Sequence, residues 1–256
     1  MQPTVSYLST AADDRHATRL VIAPDGVGKL AIGSNRDVRT RPIGRFEARI
    51  PSRLAEQLGH LVSGAAFAQS QSQSALVPDE SYRRIQVALP DGSKIDKIVG
   101  EEMATPRPFG EAERTLGEAI EYLIRSPVAA LAMGTATLPP RVRQGEAAEI
   151  ELQLVNVGRL PYRIAAPDRW GQEGATCELS AIRSDIPLAE LGMQDQHFAQ
   201  LDGGGLVAAS PRITRPTIQL APGAQVRVVF KQIIDWQIGA NTVELALSVT
   251  AEGEDG

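Results

Sequence analysis

Six arginines, Arg36, Arg39, Arg41, Arg45, Arg49 and Arg53, fall within 18 residues, with only Asp37 and Glu47 as acids among them. Planar guanidiniums at that density grip carboxylates or phosphates. Phe46 is the one aromatic in the run, and nucleic-acid stacking needs more than one such platform. The cluster therefore points to an acidic protein partner, with a charge-guarded edge strand as the alternative. A second contact feature is Pro167-Asp168-Arg169-Trp170-Gly171, where Arg169 and Trp170 are residue types favoured as binding anchors. A Trp folded over the end of a core would leave the same sequence trace. Arg36, Arg39, Arg41, Arg45, Arg169 and Trp170 are the candidate partner-binding residues.

Catalytic, cofactor and metal sets do not assemble in the sequence. His16, His60 and His197 are the three histidines, far apart and outside any H-E-x-x-H spacing. Asp195 stands two residues from His197, but side chains two apart do not converge in a regular element. There is no G-x-S-x-G elbow. Cys177, the single cysteine, sits in a β-rich run where a small core residue is expected. Gly26-Val27-Gly28-Lys29 lacks the spacing of a phosphate loop, and Gly203-Gly204-Gly205 precedes no helical pattern and reads as a flexible loop.

The elements that would carry these residues fall into two halves. Arg19–Ile22 runs into Pro24-Asp25-Gly26, and Ile85–Leu89 into Pro90-Asp91-Gly92, each a β-run meeting a tight-turn sequence. A helical stripe follows each hairpin: Leu54, Leu58, Leu61, Val62 and Ala65, then Ala112, Leu116, Ala119, Ile120 and Leu123. This order predicts an α+β domain over 1–132, ββα-ββα, with a four-stranded antiparallel sheet and two helices on one face. The tract Gln69-Ser70-Gln71-Ser72-Gln73-Ser74 between the units is expected to be an exposed loop.

Residues 133–146 read as a linker or a first edge strand. Beyond them, Ile150, Leu152 and Leu154 alternate with Glu149, Glu151 and Gln153, the pattern of a half-buried strand. Asn156-Val157-Gly158 breaks it before a second extended run. Strands are expected again over 176–182, 217–220, 226–230 and 242–250, with a long irregular stretch over 185–216. The Leu220-Ala221-Pro222-Gly223 turn before an alternating strand resembles those of bacterial immunoglobulin-like and fibronectin-like domains. That resemblance covers roughly 135–251 and implies an Ig-like β-sandwich for 147–256, without the cysteine pair of antibody domains.

Residues 1–132 hold 16 Lys+Arg against 16 Asp+Glu, and 133–256 hold 10 against 15, so the whole −5 lies in the second half. No apolar run approaches the length of a membrane span, and the first residues lack the regions of an export signal, so a cytoplasmic protein is expected. By elimination, the chain reads as a non-catalytic protein-binding protein with no cofactor. A bacterial immunity protein or inhibitor that neutralises a toxin or effector fits that class. The alternatives are an enzyme whose site is assembled from distant residues and a structural or assembly subunit.

Overall fold

The computed structural model of the chain describes residues 2–10, 17–35, 41–74, 80–137, 139, 145–171, 175–183, 196–233 and 241–249. It divides into two compact units, Met1–Gly33 with Gly44–Val128, and Ser34–Ile43 with Ala129–Gly256.

The first unit is built on strands β1 (Thr4–Thr10), β2 (Thr18–Ile22), β3 (Val27–Ile32), β5 (Ile43–Arg49), β6 (Tyr82–Ala88) and β7 (Lys94–Gly100), in the order β5-β3-β2-β1-β6-β7. Every pairing is antiparallel. The two Pro-Asp-Gly turns are copies of each other. Gly26 and Gly92 both have φ above +80°, a conformation that favours glycine. In each turn the aspartate carboxylate accepts the amide two residues on, Val27 N at 3.0 Å and Ser93 N at 2.9 Å.

One face of this sheet is apolar. Val5, Leu20, Ile22, Leu30, Phe46, Ile85, Val87 and Val99 are buried on it. Helix α3 (Arg107–Leu123) lies over this face, burying Phe109, Ala112, Leu116, Ala119 and Leu123. Helix α1 (Ser52–Ser63) packs beside α3, with Gln57 Nε2 donating to Thr115 Oγ1 at 3.3 Å. Gly64 ends α1, and a short helix α2 (Ala65–Gln69) follows, anchored by buried Phe67. The expected four-stranded sheet with two helices is thus corrected to six strands and three helices among the described residues. The missed strands are β1 and β5. In β1 the alternation is Ser/Thr against Val/Tyr, a weak contrast, and in β5 two arginines and a glutamate obscure buried Phe46.

The polar tract after α2 is exposed but docked. Lys97, buried on β7, donates to the carbonyls of Ala68 and Ser70, each at 2.7 Å. Ser72 Oγ accepts from Ile98 N at 2.9 Å, and Gln73 N donates to Ile98 O at 2.8 Å. The tract thus occupies hydrogen-bonding groups that an edge strand would otherwise leave open. Ser72→Ala removes the acceptor of the Ile98 amide. Losing one hydrogen bond of about 1 kcal/mol should speed exchange of that amide about fivefold in hydrogen-exchange measurements, with the global unfolding midpoint unchanged. Unchanged protection of Ile98 would show that the tract does not guard the edge.

The second unit carries β8 (Pro127–Thr137), β9 (Ala147–Asn156), β13 (Leu206–Ser210) and β15 (Gln225–Ile233) in the order β13-β15-β9-β8. Ile150, Leu152 and Leu154 lie opposite Phe230, Val228 and Val226, and all six are buried. A second set is β4 (Ser34–Asn35), β11 (Ala175–Arg183), β12 (Gln196–Leu201) and β16 (Asn241–Val249), ordered β12-β11-β16-β4. A two-stranded piece pairs β10 (Tyr162–Ala165) with β14 (Thr217–Leu220).

The Ig-like β-sandwich expected over 147–256 is corrected by this arrangement. The strands fall into three sheets, and they recruit β4 and β8 from outside that range. β10 pairs with β14 instead of returning on β9, because Asn156 redirects the chain between them. Its buried amide donates to Leu160 O at 2.9 Å and Leu220 O at 2.8 Å, and its carbonyl accepts from Gly158 N at 2.8 Å. β12 and β13 lie within the stretch read as irregular. β8 runs to Thr137, into the expected linker.

Candidate functional site

The apolar face of the first unit's sheet is covered by helices, and the opposite face is open. Strand register aligns its side chains in rows. One row runs Arg84, Leu8, Arg19, Ala31, Arg45 across β6, β1, β2, β3 and β5. The next runs Gln86, Ser6, Val21, Lys29, Glu47. Arg19, Val21, Lys29 and Arg45 are exposed, and Val21 keeps 42% of its surface.

Charge on this face is unbalanced. Arg84 is engaged, donating to both carboxylate oxygens of Asp96, with Nε at 2.9 Å from Oδ1. These bonds hold the Asp96 carboxyl below the usual carboxylate range. Arg49, further along β5, donates to the Asp25 carbonyl. Arg19, Lys29 and Arg45 have no carboxylate within ion-pair distance among the described residues. Lys29 lies opposite Glu47 in the strand register without forming an ion pair. On a sheet face of the second unit, by contrast, Arg227 donates through two nitrogens to Glu151.

Of the arginine cluster, Arg45 lies on this open face, and Arg49 and Arg53 are exposed in the same unit. Arg41 is exposed in the second unit. Arg36 and Arg39 lie outside the described residues. Arg19 and Lys29 were missed by sequence reading because each is a lone cation in its own strand. The signal that joins them to Arg45 is strand register, which local sequence does not carry.

Trp170 is a core residue. It is fully buried, stacks on Phe230 with ring centroids 5.4 Å apart, and donates Nε1–H to Ala165 O at 3.0 Å. Arg169, next to it, is half-buried in the 3-10 turn Pro167–Arg169. The three glycines form a second 3-10 turn against this one. A Cβ at Gly203 would lie 1.8 Å from the Asp168 carbonyl oxygen, so the run serves close backbone approach. Cys177 is buried in β11, and His60 is exposed on α1. His16 and Asp195 lie outside the described residues.

One polar cluster has the residue types of an acid–base site. Tyr7 OH donates to Glu113 Oε1 at 3.0 Å, Arg83 Nη1 donates to Glu113 Oε2 at 2.9 Å, and Arg83 Nη2 donates to Thr105 Oγ1 at 3.0 Å. Burial first, and then the charge and hydrogen bond of Glu113, push the Tyr7 phenol well above its ordinary value of 10.0. A phenol held protonated in this way supplies neither a base nor a nucleophile at neutral pH. The cluster clamps α3 to β1 and β6. A raised folded-state value means that the stabilisation is complete below the ordinary phenol value near pH 10 and is lost as pH rises above it towards the raised one. Urea midpoints should fall more steeply above pH 10 for the native chain than for Tyr7→Phe. Parallel declines would refute the clamp.

Among the described residues, no three His, Cys, Asp or Glu side chains gather as a metal set, and no helix is long and apolar enough to cross a membrane. No protein-family model, curated protein or solved structure matches this chain.

Proposed function

We propose that this chain is a non-catalytic protein-binding protein that docks an acidic surface of its partner on the open face of the first unit's sheet. The observation that carries this reading is the set Arg19, Lys29 and Arg45, exposed together without ion-pair partners among the described residues, on a chain of net charge −5. Unpaired cations on one face are a source of complementarity and of faster, steered association. A toxin or effector with an acidic rim belongs to this partner class. A cytoplasmic setting is part of the same proposal, supported by a lone buried thiol.

The test is an affinity pull-down with the tagged full-length chain, using the products of adjacent genes as prey, at low and at high ionic strength. The expected result is a stoichiometric partner retained near 50 mM salt and largely released near 500 mM, where the Debye length shrinks from about 14 Å to about 4 Å. A partner held equally at both would contradict an electrostatic face.

A further inference from the structure

We infer that the partner presents an acidic α-helix laid across the strands of this face, along the row Arg84, Leu8, Arg19, Ala31, Arg45. This inference rests on the protein-binding reading above and adds the shape of the ligand. Along the row, cations alternate with apolar side chains, each on its own strand. Neighbouring strands are about 4.8 Å apart, so successive cations are spaced by about 9.6 Å. A helix rises about 1.5 Å per residue, which puts residues seven apart at about 10.5 Å and residues three apart at about 4.5 Å. Carboxylates at i, i+7 and i+14 therefore meet Arg45, Arg19 and the Arg84–Asp96 pair in turn. Small apolar residues at i+3 and i+10 fall over Ala31 and Leu8.

The match is to a helix and not to an extended strand. A strand laid along the row would advance about 6.7 Å for every second residue, which misses the second cation by about 3 Å. Exposed aromatics for base stacking are also scarce on this face. Tyr82 is its one aromatic among the described residues and is half-buried. Arg84 is already committed to Asp96, so Arg19 and Arg45 carry most of the recognition. They lie two strands apart with Ala31 between them, which fits an i, i+7 acidic pair.

The probe is a labelled 18-residue helical peptide with Glu at i, i+7 and i+14 and Ala or Leu at i+3 and i+10. Its control has the same composition with Glu at i, i+5 and i+10. Binding to the full chain is read by fluorescence anisotropy at low salt. The matched peptide should bind at least about tenfold more tightly than the control, and Arg19→Glu or Arg45→Glu should abolish that preference. Equal binding of the two peptides, no binding of either at millimolar concentration, or unchanged preference in both variants would overturn the inference. So would competition by a single-stranded oligonucleotide of equal charge as effective as the matched peptide.

The two levels separate cleanly. If the peptides fail while capture of the protein partner still depends on Arg19 and Arg45, the helix is wrong and the face stands. If capture ignores both arginines, both readings fall.

Discussion

Trp170→Ala is expected to destabilise the second unit by about 3–5 kcal/mol, the range for deleting a large aromatic from a packed core. The indole is fully buried, stacks on Phe230 at 5.4 Å with 24° between ring planes, and satisfies the Ala165 carbonyl. Its backbone carbonyl also accepts from Gly203 N at 3.1 Å, so the loss spreads into the turn packed against it. Trp170→Phe keeps a ring for Phe230 but leaves the Ala165 carbonyl without its donor, at about 1–2 kcal/mol. Urea unfolding followed by far-ultraviolet circular dichroism orders the three chains. A wild-type midpoint for Trp170→Ala would refute its core role. Trp170→Phe should retain partner binding unchanged, because the proposed contact surface lies on the first unit.

The double reversal Arg19→Glu/Arg45→Glu should weaken partner binding about a hundredfold, about 1.4 kcal/mol for each position. Each substitution removes an attraction and installs a repulsion against the same acidic surface. Both side chains are exposed, so the unfolding free energy should change by no more than about 0.5 kcal/mol. Most of the loss should appear in the association rate at low salt and shrink as salt rises. Titration calorimetry with the purified partner measures the affinity. Binding within twofold of the native chain would remove the face from the account.

Much of the local structure was legible in the sequence, and much of the assembly was not. The two Pro-Asp-Gly turns, the alternation of Ile150, Leu152 and Leu154, and the buried stripe of α3 (all but half-buried Ile120) form as read, because each is set by residues within a few positions of one another. β1 escaped because serine and threonine on its open face blur the alternation. β5 escaped because Arg45, Glu47 and Arg49 charge one of its faces while Phe46 is the single large apolar residue on the other. The Ig-like expectation failed at Asn156, whose side-chain hydrogen bond to Leu220 O spans 64 positions, a contact that no local pattern encodes. The candidate site was half visible for the same reason. Arg45 stood out within a dense cluster, whereas Arg19 and Lys29 join it only through the register of β2 and β3. Trp170 illustrates the opposite limit: a Pro/Gly-flanked Trp reads alike as anchor or core, and only its stacking on Phe230 decides.

The most direct test of the central claim is lysine footprinting of the complex. Lys29 lies on the open face of the first unit and Lys231 on a sheet face of the second, and both are exposed. Brief acetylation of the free chain and of the partner complex, read by mass spectrometry, compares the two amines in one sample. The account predicts that Lys29 becomes protected on binding while Lys231 is modified as before. Protection of Lys231 with Lys29 unchanged would contradict it.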